Sequence, residues 1–175
     1  MLPKPVWNPL NPVLAALGLA ALWLLPALAL AQAQQEPETT TFQDWDLICF
    51  DTPDGERCQM QQTLQIDDPE VDGLYVQASL HLDGDHHVLE VLLPLGVELR
   101  PGILLQIDDG EEFRGEFIAC VQQGCAAARE IGPERLQELR GGRHLSIAFR
   151  ALHMEQPLAF DLSLMGFTDA SERLR

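Results

Sequence analysis

The sequence predicts a mainly β domain, built as an antiparallel β-sandwich or barrel-like fold with one or two short helices. From residue 42 onward, the chain divides into short segments in which apolar and polar residues alternate, which is the period of a strand with one buried face. Turn residues separate these segments at intervals of about ten residues, as in sandwiches and barrels. Helix signals are too few to supply the crossover helices of a parallel sheet.

The first two predicted strands form a hairpin. One runs from Trp45 to Cys49, and the next begins at Cys58 and continues to Ile66. The residues at 51–55, Asp-Thr-Pro-Asp-Gly, include the proline and the glycine that a tight reversal needs. We therefore expect the base of this hairpin to carry both cysteines.

Further strands follow the same pattern. They are predicted at 74–80, 88–95, 103–107, 113–121, 125–128, 145–149 and 158–164. The strand at 88–95 is almost entirely apolar, which predicts burial on both of its faces. In the strand at 113–121, the alternation predicts a shared face for Phe113, Phe117, Ala119 and Val121.

Two short helices are predicted near the carboxyl end. The first covers residues 133–140, because Gly132, Pro133 and Glu134 form a helix start and Gly141 with Gly142 ends the pattern. The second is a terminal helical turn at residues 168–174. No internal repeat or further domain boundary is evident, so residues 42–175 are expected to form one domain.

The first 33 residues have the pattern of an export signal. They contain one basic residue, Lys4, followed by a continuous apolar stretch at 13–31 that is long enough to compete as a membrane anchor. Pro26 would interrupt a spanning helix, and small residues at 29–33 permit cleavage after Ala31 or Ala33. We therefore expect residues 1–33 to be removed, leaving no membrane span in the mature protein.

Residues 34–41 are predicted to be a flexible leader, because they are polar and show no apolar periodicity. The mature chain that follows the signal is strongly acidic. The full sequence has a formal net charge of -16, and its only lysine is Lys4, so cleavage makes the charge more negative still. Such a surface repels nucleic acid and anionic lipid, whereas basic proteins, neutral ligands and divalent cations remain possible partners.

Four cysteines are predicted to form structural disulfides: Cys49, Cys58, Cys120 and Cys125. Three connectivities are possible, and the short turns favour the two local pairs. Neither spacing is that of a thioredoxin-like redox site, and only the second suits a zinc site. Stable disulfides require an oxidising compartment, so the periplasm is the expected location, with outer-envelope association or secretion as further possibilities.

The candidate metal and catalytic motifs have ordinary structural explanations. His81, His86 and His87 lie near acidic residues, but adjacent residues of a strand point to opposite faces, so a solvated turn is favoured. A second acidic run contains Asp67, Asp68, Glu70 and Asp72. It lacks the central glycine and the final glutamate that a calcium-binding loop requires. No catalytic, cofactor or metal residue is therefore predicted.

Other candidate residues also have structural explanations. The serines Ser79, Ser146 and Ser163 lie in strand patterns, outside any hydrolase motif. Trp45 and Phe167 are expected to fill the core rather than line a recognition surface. The glycines at 96 and 102 are expected to serve turns.

Several short motifs, taken in order, resemble the invasion-associated locus B family of exported bacterial proteins. They are Trp-Asp-Leu-Ile-Cys at 45–49, Cys-Gln-Met at 58–60, Leu-Pro-Leu-Gly-Val at 93–97, Pro-Gly-Ile at 101–103, Ile-Asp at 107–108, Cys120 with Gly-Cys-Ala at 124–126, and Ser-Leu-Met-Gly-Phe at 163–167. The resemblance implies a periplasmic or envelope protein with a β-sandwich-like fold and, in some pathogens, a link to host-cell entry. It implies no enzyme, and it supplies no catalytic or ligand-binding residues.

The expected function is that of an exported, non-catalytic envelope protein that binds a protein or an envelope component. The alternatives are a small periplasmic hydrolase and a structural or stress-protective envelope protein. The sequence predicts no oligomeric state.

Overall fold

The computed structural model describes residues 37–65 and 75–174. The predicted signal segment and the acidic run at 67–72 lie outside the described residues. The described ranges contain these elements: β1 Glu38–Phe42, β2 Trp45–Thr52, β3 Gly55–Gln65, β4 Tyr75–Asp83, β5 His86–Leu93, β6 Ile103–Ile107, β7 Phe113–Val121, β8 Gly124–Ile131, α1 Pro133–Gly141, β9 His144–Phe149, β10 Leu158–Ser163 and α2 Phe167–Ser171.

The ten strands form one antiparallel sheet. Their order is β1-β2-β3-β4-β5-β8-β7-β6-β9-β10, so the first five strands form a meander and the later strands extend the sheet from β5. This arrangement confirms the predicted mainly β class. No helix in the described part of the chain is long and apolar enough to cross a membrane.

The core lies on one face of the curved sheet. Met60 on β3, Leu89 on β5, Leu105 on β6 and Leu162 on β10 belong to one buried cluster, although these strands are spread across the whole sheet. Strands so far apart in the order can share a core only if the sheet folds over on itself. The sheet therefore has an inner face that carries the core and an outer face that carries the alternate residues of each strand.

Side chains hold the two ends of the sheet together. The Gln62 side chain of β3 binds the backbone of Ser163 at the end of β10, and the indole N–H of Trp45 donates to the Ser163 carbonyl at 2.9 Å. Trp45 also packs edge-to-face on Phe167 of α2, with ring centroids 5.2 Å apart. Both aromatic rings are fully buried, as the sequence predicts.

The prediction of a flexible leader at 34–41 is wrong for its last four residues, which lie in β1. Glu38 pairs with Cys49 and Phe42 pairs with Trp45, so β1 is hydrogen-bonded to β2 along its length. The hydroxyl of Thr41 also donates to Asp46 at 2.6 Å. Backbone pairing and the β-branched threonines stabilise this strand without a buried apolar face, so no apolar periodicity marks it.

The predicted face of β7 is also wrong beyond residue 117. The register with β8 shifts between Phe117 and Ala119, which leaves Ile118 as the extra residue of a bulge. Phe117 lies opposite the buried Ala127, whereas Ala119 lies opposite Ala126 on the other face. The bulge therefore exposes Ile118 and reverses the alternation that follows it.

Burial of β5 on both faces is a further prediction that the structure corrects. Leu89, Val91 and Leu93 are buried on the inner face, whereas Glu90 and Leu92 are only half-buried on the outer face. The outer face of β5 is uncovered and contributes to the groove described below. The other predicted strands, and the helix at 133–140, are present with small differences at their ends.

Candidate functional site

A groove of about 680 Å³ lies on the outer face of β3, β4 and β5, and we call it the outer groove. Gln59, Ser79 and Glu90 form part of its floor, because their sequence neighbours Met60, Leu80 and Leu89 are buried in the core. In a strand, burial of one residue turns the next one to the opposite face.

The hairpin between β2 and β3 forms one wall of the outer groove. It contributes Phe50, Thr52, Asp54, Glu56 and Arg57. The hairpin is fixed by a tight turn in which Gly55 has a φ of +119° and the Thr52 hydroxyl donates to the Gly55 carbonyl at 2.5 Å. The Cys49–Cys58 disulfide joins the two strands directly below this turn. The wall is therefore anchored to the floor by both hydrogen bonds and a covalent bridge.

Strand register places the floor residues in rows. Gln59 lies opposite His81, Ser79 lies opposite Glu90, and Gln77 lies opposite Leu92. On the far side of β5, the residues opposite Glu90 and Leu92 are Ala128 and Ala126. These alanines leave the floor open on that side, because a methyl group does not reach across the neighbouring strand.

Most polar groups of the floor are available to a ligand. Gln77 donates to the Gln61 side chain at 2.7 Å, which orients its amide. Within the described ranges, no side-chain hydrogen bond or ion pair involves Ser79, His81, Glu90 or Arg57. The groove therefore offers hydrogen-bond donors and acceptors that the fold itself does not use.

Glu90 is the charged residue that β5 contributes to the floor. It is half-buried, and its two cross-strand neighbours, Ser79 and Ala128, are uncharged. No Arg or His nitrogen among the described residues lies within ion-pair distance of its carboxylate. A carboxylate in this position attracts a cation, because partial burial makes an uncompensated charge more costly.

Ser79, His81 and Glu90 together contain the residue types of a hydrolase triad. Ser79 and His81 lie two residues apart on β4, and Glu90 faces Ser79 from β5. No hydrogen bond joins any two of these three side chains. The nucleophile–base and base–acid contacts that define a triad are therefore not formed in this structure.

The three candidate histidines do not converge on one point. His86 lies on the outer side of β5, with its Nδ1 2.8 Å from a carboxylate oxygen of Glu130. His87 is on the opposite face, where burial, and to a smaller extent the charge of Arg140, lowers its pKa below 6.5. His81 belongs to the outer groove. The three rings thus serve three different environments.

One group of potential metal ligands among the described residues consists of Cys49, Glu56 and Cys58. Both sulfurs of this group are joined in a disulfide, which removes the thiolates that a metal would require. The second disulfide joins Cys120 to Cys125 across the β7–β8 hairpin. Both bridges thus have the local pairing that the sequence favours.

The comparisons with known proteins agree with the motifs in the sequence. A profile of the family described as "Invasion associated locus B (IalB) protein" matches residues 45–175. The chain belongs to this family. The resemblance drawn from the motifs is thereby confirmed.

Two curated members of the invasion-associated locus B family illustrate the similarity. The chain is 32% identical, over 136 residues, to an invasion protein B homolog of Brucella abortus strain 2308, and the match covers 77% of this chain and 78% of the relative. A homolog from Brucella abortus biovar 1 strain 9-941 matches with the same identity and coverage.

A solved structure from the same family has the same fold. The crystal structure of invasion associated protein B from Bartonella henselae matches with a TM-score of 0.65 and 25% sequence identity. The match covers 78% of this chain and 94% of that chain. The β-rich architecture is therefore shared with this relative.

Sequence reasoning missed the outer groove of this family member. Gln59, Gln77, Ser79 and Glu90 occupy outward positions that the alternation assigns simply to solvent. One signal was present, because two neighbouring strands carry uncharged polar residues at outward positions where charged residues are common. The groove forms where the β2–β3 hairpin stands beside the outer face of β3, β4 and β5, and this tertiary packing has no local sequence pattern.

Proposed function

We propose that this member of the invasion-associated locus B family is an exported, non-catalytic envelope protein that acts by binding a partner in the outer groove. The observation that carries the proposal is the groove itself, whose volume of about 680 Å³ is in the range of ligand sites. Its floor presents Ser79, His81 and Glu90, which form no side-chain hydrogen bond or ion pair with another described residue, and its wall presents Phe50 with 40% of its surface exposed. Rigid polar surfaces with an exposed aromatic ring are suited to recognition.

The same groove supports binding better than hydrolysis. A serine hydrolase needs a base that is hydrogen-bonded to the nucleophile, and Ser79 has no such contact with His81. The names of the Brucella relatives describe invasion rather than a reaction. We therefore expect the purified protein to show no esterase activity above that of a Ser79→Ala variant.

Export is part of the proposal. Two disulfides and the signal-like first 33 residues both suit an oxidising compartment outside the cytoplasm. The mature protein should begin at Gln32 or Gln34 and should be released from cells with the periplasmic fraction. Amino-terminal sequencing of that fraction tests the cleavage, and recovery of the intact chain in the membrane would contradict it.

Site-specific photo-crosslinking in living cells tests the binding function. A photoreactive amino acid is placed at position 59 on the groove floor, and a matched variant carries it at Gln137, an exposed residue of α1. We expect ultraviolet light to produce a discrete crosslinked product from position 59 and none of that size from position 137. Equal products from both positions, or none from the groove, would contradict the proposal.

A further inference from the structure

Building on the proposed function, we infer that the occupant of the outer groove is a basic, extended segment of a partner protein, with a lysine or arginine side chain seated on Glu90. Glu90 lies in the groove floor between the uncharged residues Ser79 and Ala128. Its carboxylate has no cationic partner among the described residues. A basic side chain from a ligand would supply the missing countercharge.

The rest of the floor suits a peptide. The amides of Gln59 and Gln77 and the hydroxyl of Ser79 supply both donors and acceptors, which is what the N–H and C=O groups of an extended backbone require. Phe50 and Leu92 add apolar surface beside these groups. The aliphatic stem of a lysine or arginine can pack on such surface while its charged end reaches the carboxylate.

The charge of the whole molecule favours the same occupant. The formal net charge is -16, and the chain beyond Lys4 contains no lysine. A field of this sign attracts a basic segment and repels acidic peptides and phosphorylated ligands. Among the residues that the structure describes, Arg57 at the exposed rim is the one arginine that lines the groove, and it is displaced by two strands from Glu90. It leaves the negative charge on the floor uncompensated.

A binding assay with charge-matched variants tests this inference. The probe is a fluorescein-labelled hexapeptide of alternating serine and arginine, and its anisotropy is measured with the full chain as processed by the cell. Glu90→Gln and Glu155→Gln remove the same charge, the second from an exposed loop outside the groove. We expect Glu90→Gln to weaken binding about tenfold or more, and Glu155→Gln to weaken it less than about twofold.

The possible outcomes distinguish a failure of this inference from a failure of the proposed function. Equal weakening by both variants would show that only overall charge matters, and it would overturn the inference. Binding of spermine at least as tightly as the peptide would also overturn it, because a free polyamine would then be the better occupant. The inference would likewise be overturned if a neutral oligosaccharide, such as chitotriose, bound to the protein and the peptide did not.

A second measurement keeps the test open if Glu90→Gln fails to fold. In the unaltered protein, the peptide should shift the amide resonances of β3, β4 and β5, and it should leave those of α1 unchanged. If the shifts occur elsewhere, the inference fails. If the peptide does not bind but position 59 still crosslinks a partner in cells, the inference fails while the proposed function stands.

Discussion

The side-chain amide of Gln62 pairs with the backbone of Ser163 as a neighbouring strand would. Its Oε1 accepts from the Ser163 N–H at 3.0 Å, and its Nε2 donates to the Ser163 carbonyl at 3.1 Å and to the Asp44 carbonyl at 2.9 Å. One side chain on β3 thus connects the end of β10 with the turn between β1 and β2. The two ends of the sheet are joined through this residue, although β1 and β10 are not hydrogen-bonded as neighbouring strands.

Replacing Gln62 should therefore destabilise the domain. Gln62→Ala removes three hydrogen bonds and leaves the Ser163 N–H without its partner, although the Ser163 carbonyl still accepts from Trp45. The variant should lower the free energy of unfolding by about 2 to 3 kcal/mol. Urea denaturation measures the loss. Gln65→Ala is the matched control, because Gln65 is exposed at the end of the same strand, and it should cost less than about 0.5 kcal/mol. Similar losses for the two variants would contradict the role of Gln62 in joining the two ends of the sheet.

Trp45 and Gln62 should be energetically coupled, because both donate to the Ser163 carbonyl. A double-mutant cycle with Trp45→Phe and Gln62→Ala should give an interaction energy of about 0.5 kcal/mol or more. A cycle that pairs Gln62→Ala with Thr52→Ala serves as the control, since Thr52 bonds within the β2–β3 hairpin. Strict additivity in the first cycle would show that the two contacts are independent.

His87 should make stability depend on pH. Burial, assisted by Arg140, lowers the pKa of His87 below 6.5 in the folded protein, so the unfolded chain binds the proton more tightly. The contribution of the neutral His87 ring to stability should be fully present above pH 6.5. It should decrease as the pH falls from 6.5 towards the lower pKa of the folded state. His87→Gln should reduce this slope, whereas His153→Gln, at an exposed loop position, should not. Thermal melts between about pH 5.5 and 7.5 measure the effect, and an unchanged slope in His87→Gln would refute the assignment.

The two disulfides should contribute unequally. Chain-entropy arguments give about 2.7 kcal/mol for a loop of about ten residues and about 2.2 kcal/mol for one of about six.

The Cys49–Cys58 bridge also fixes the groove wall, so Cys49→Ala with Cys58→Ala should impair partner crosslinking from position 59. Removal of Cys120 and Cys125 should lower stability without that effect. Non-reducing peptide mapping of the purified protein should recover both local pairs, and crossed pairs would contradict the structure.

Much of the fold can be predicted from the sequence because each strand with one buried face carries a local alternation. Leu145 and Ile147 on β9 are examples, since both are fully buried. The predictions failed where a strand lacks a continuous alternation of buried and exposed residues. β1 is held by backbone pairing and has no apolar face, and the bulge at Ile118 breaks the alternation on which the prediction depends.

The site was less accessible to prediction than the fold. Glu90 follows the buried Leu89 in an apolar run, so its neighbours in sequence indicate only a strand. Its significance depends on the residues opposite it, Ser79 and Ala128, which are 11 and 38 positions away and are known only once the register is known. The role of Gln62 in joining the two ends of the sheet likewise depends on its contact with Ser163, a residue 101 positions away.

Hydrogen–deuterium exchange of the protein, alone and with the partner crosslinked from position 59, tests most directly whether the outer groove is the binding site. The account predicts slower exchange in the outer-groove strands β3, β4 and β5 and in the β2–β3 hairpin, with α1 and β10 unchanged. Protection confined to α1 or β10, with exchange in β3 to β5 unaltered, would contradict it.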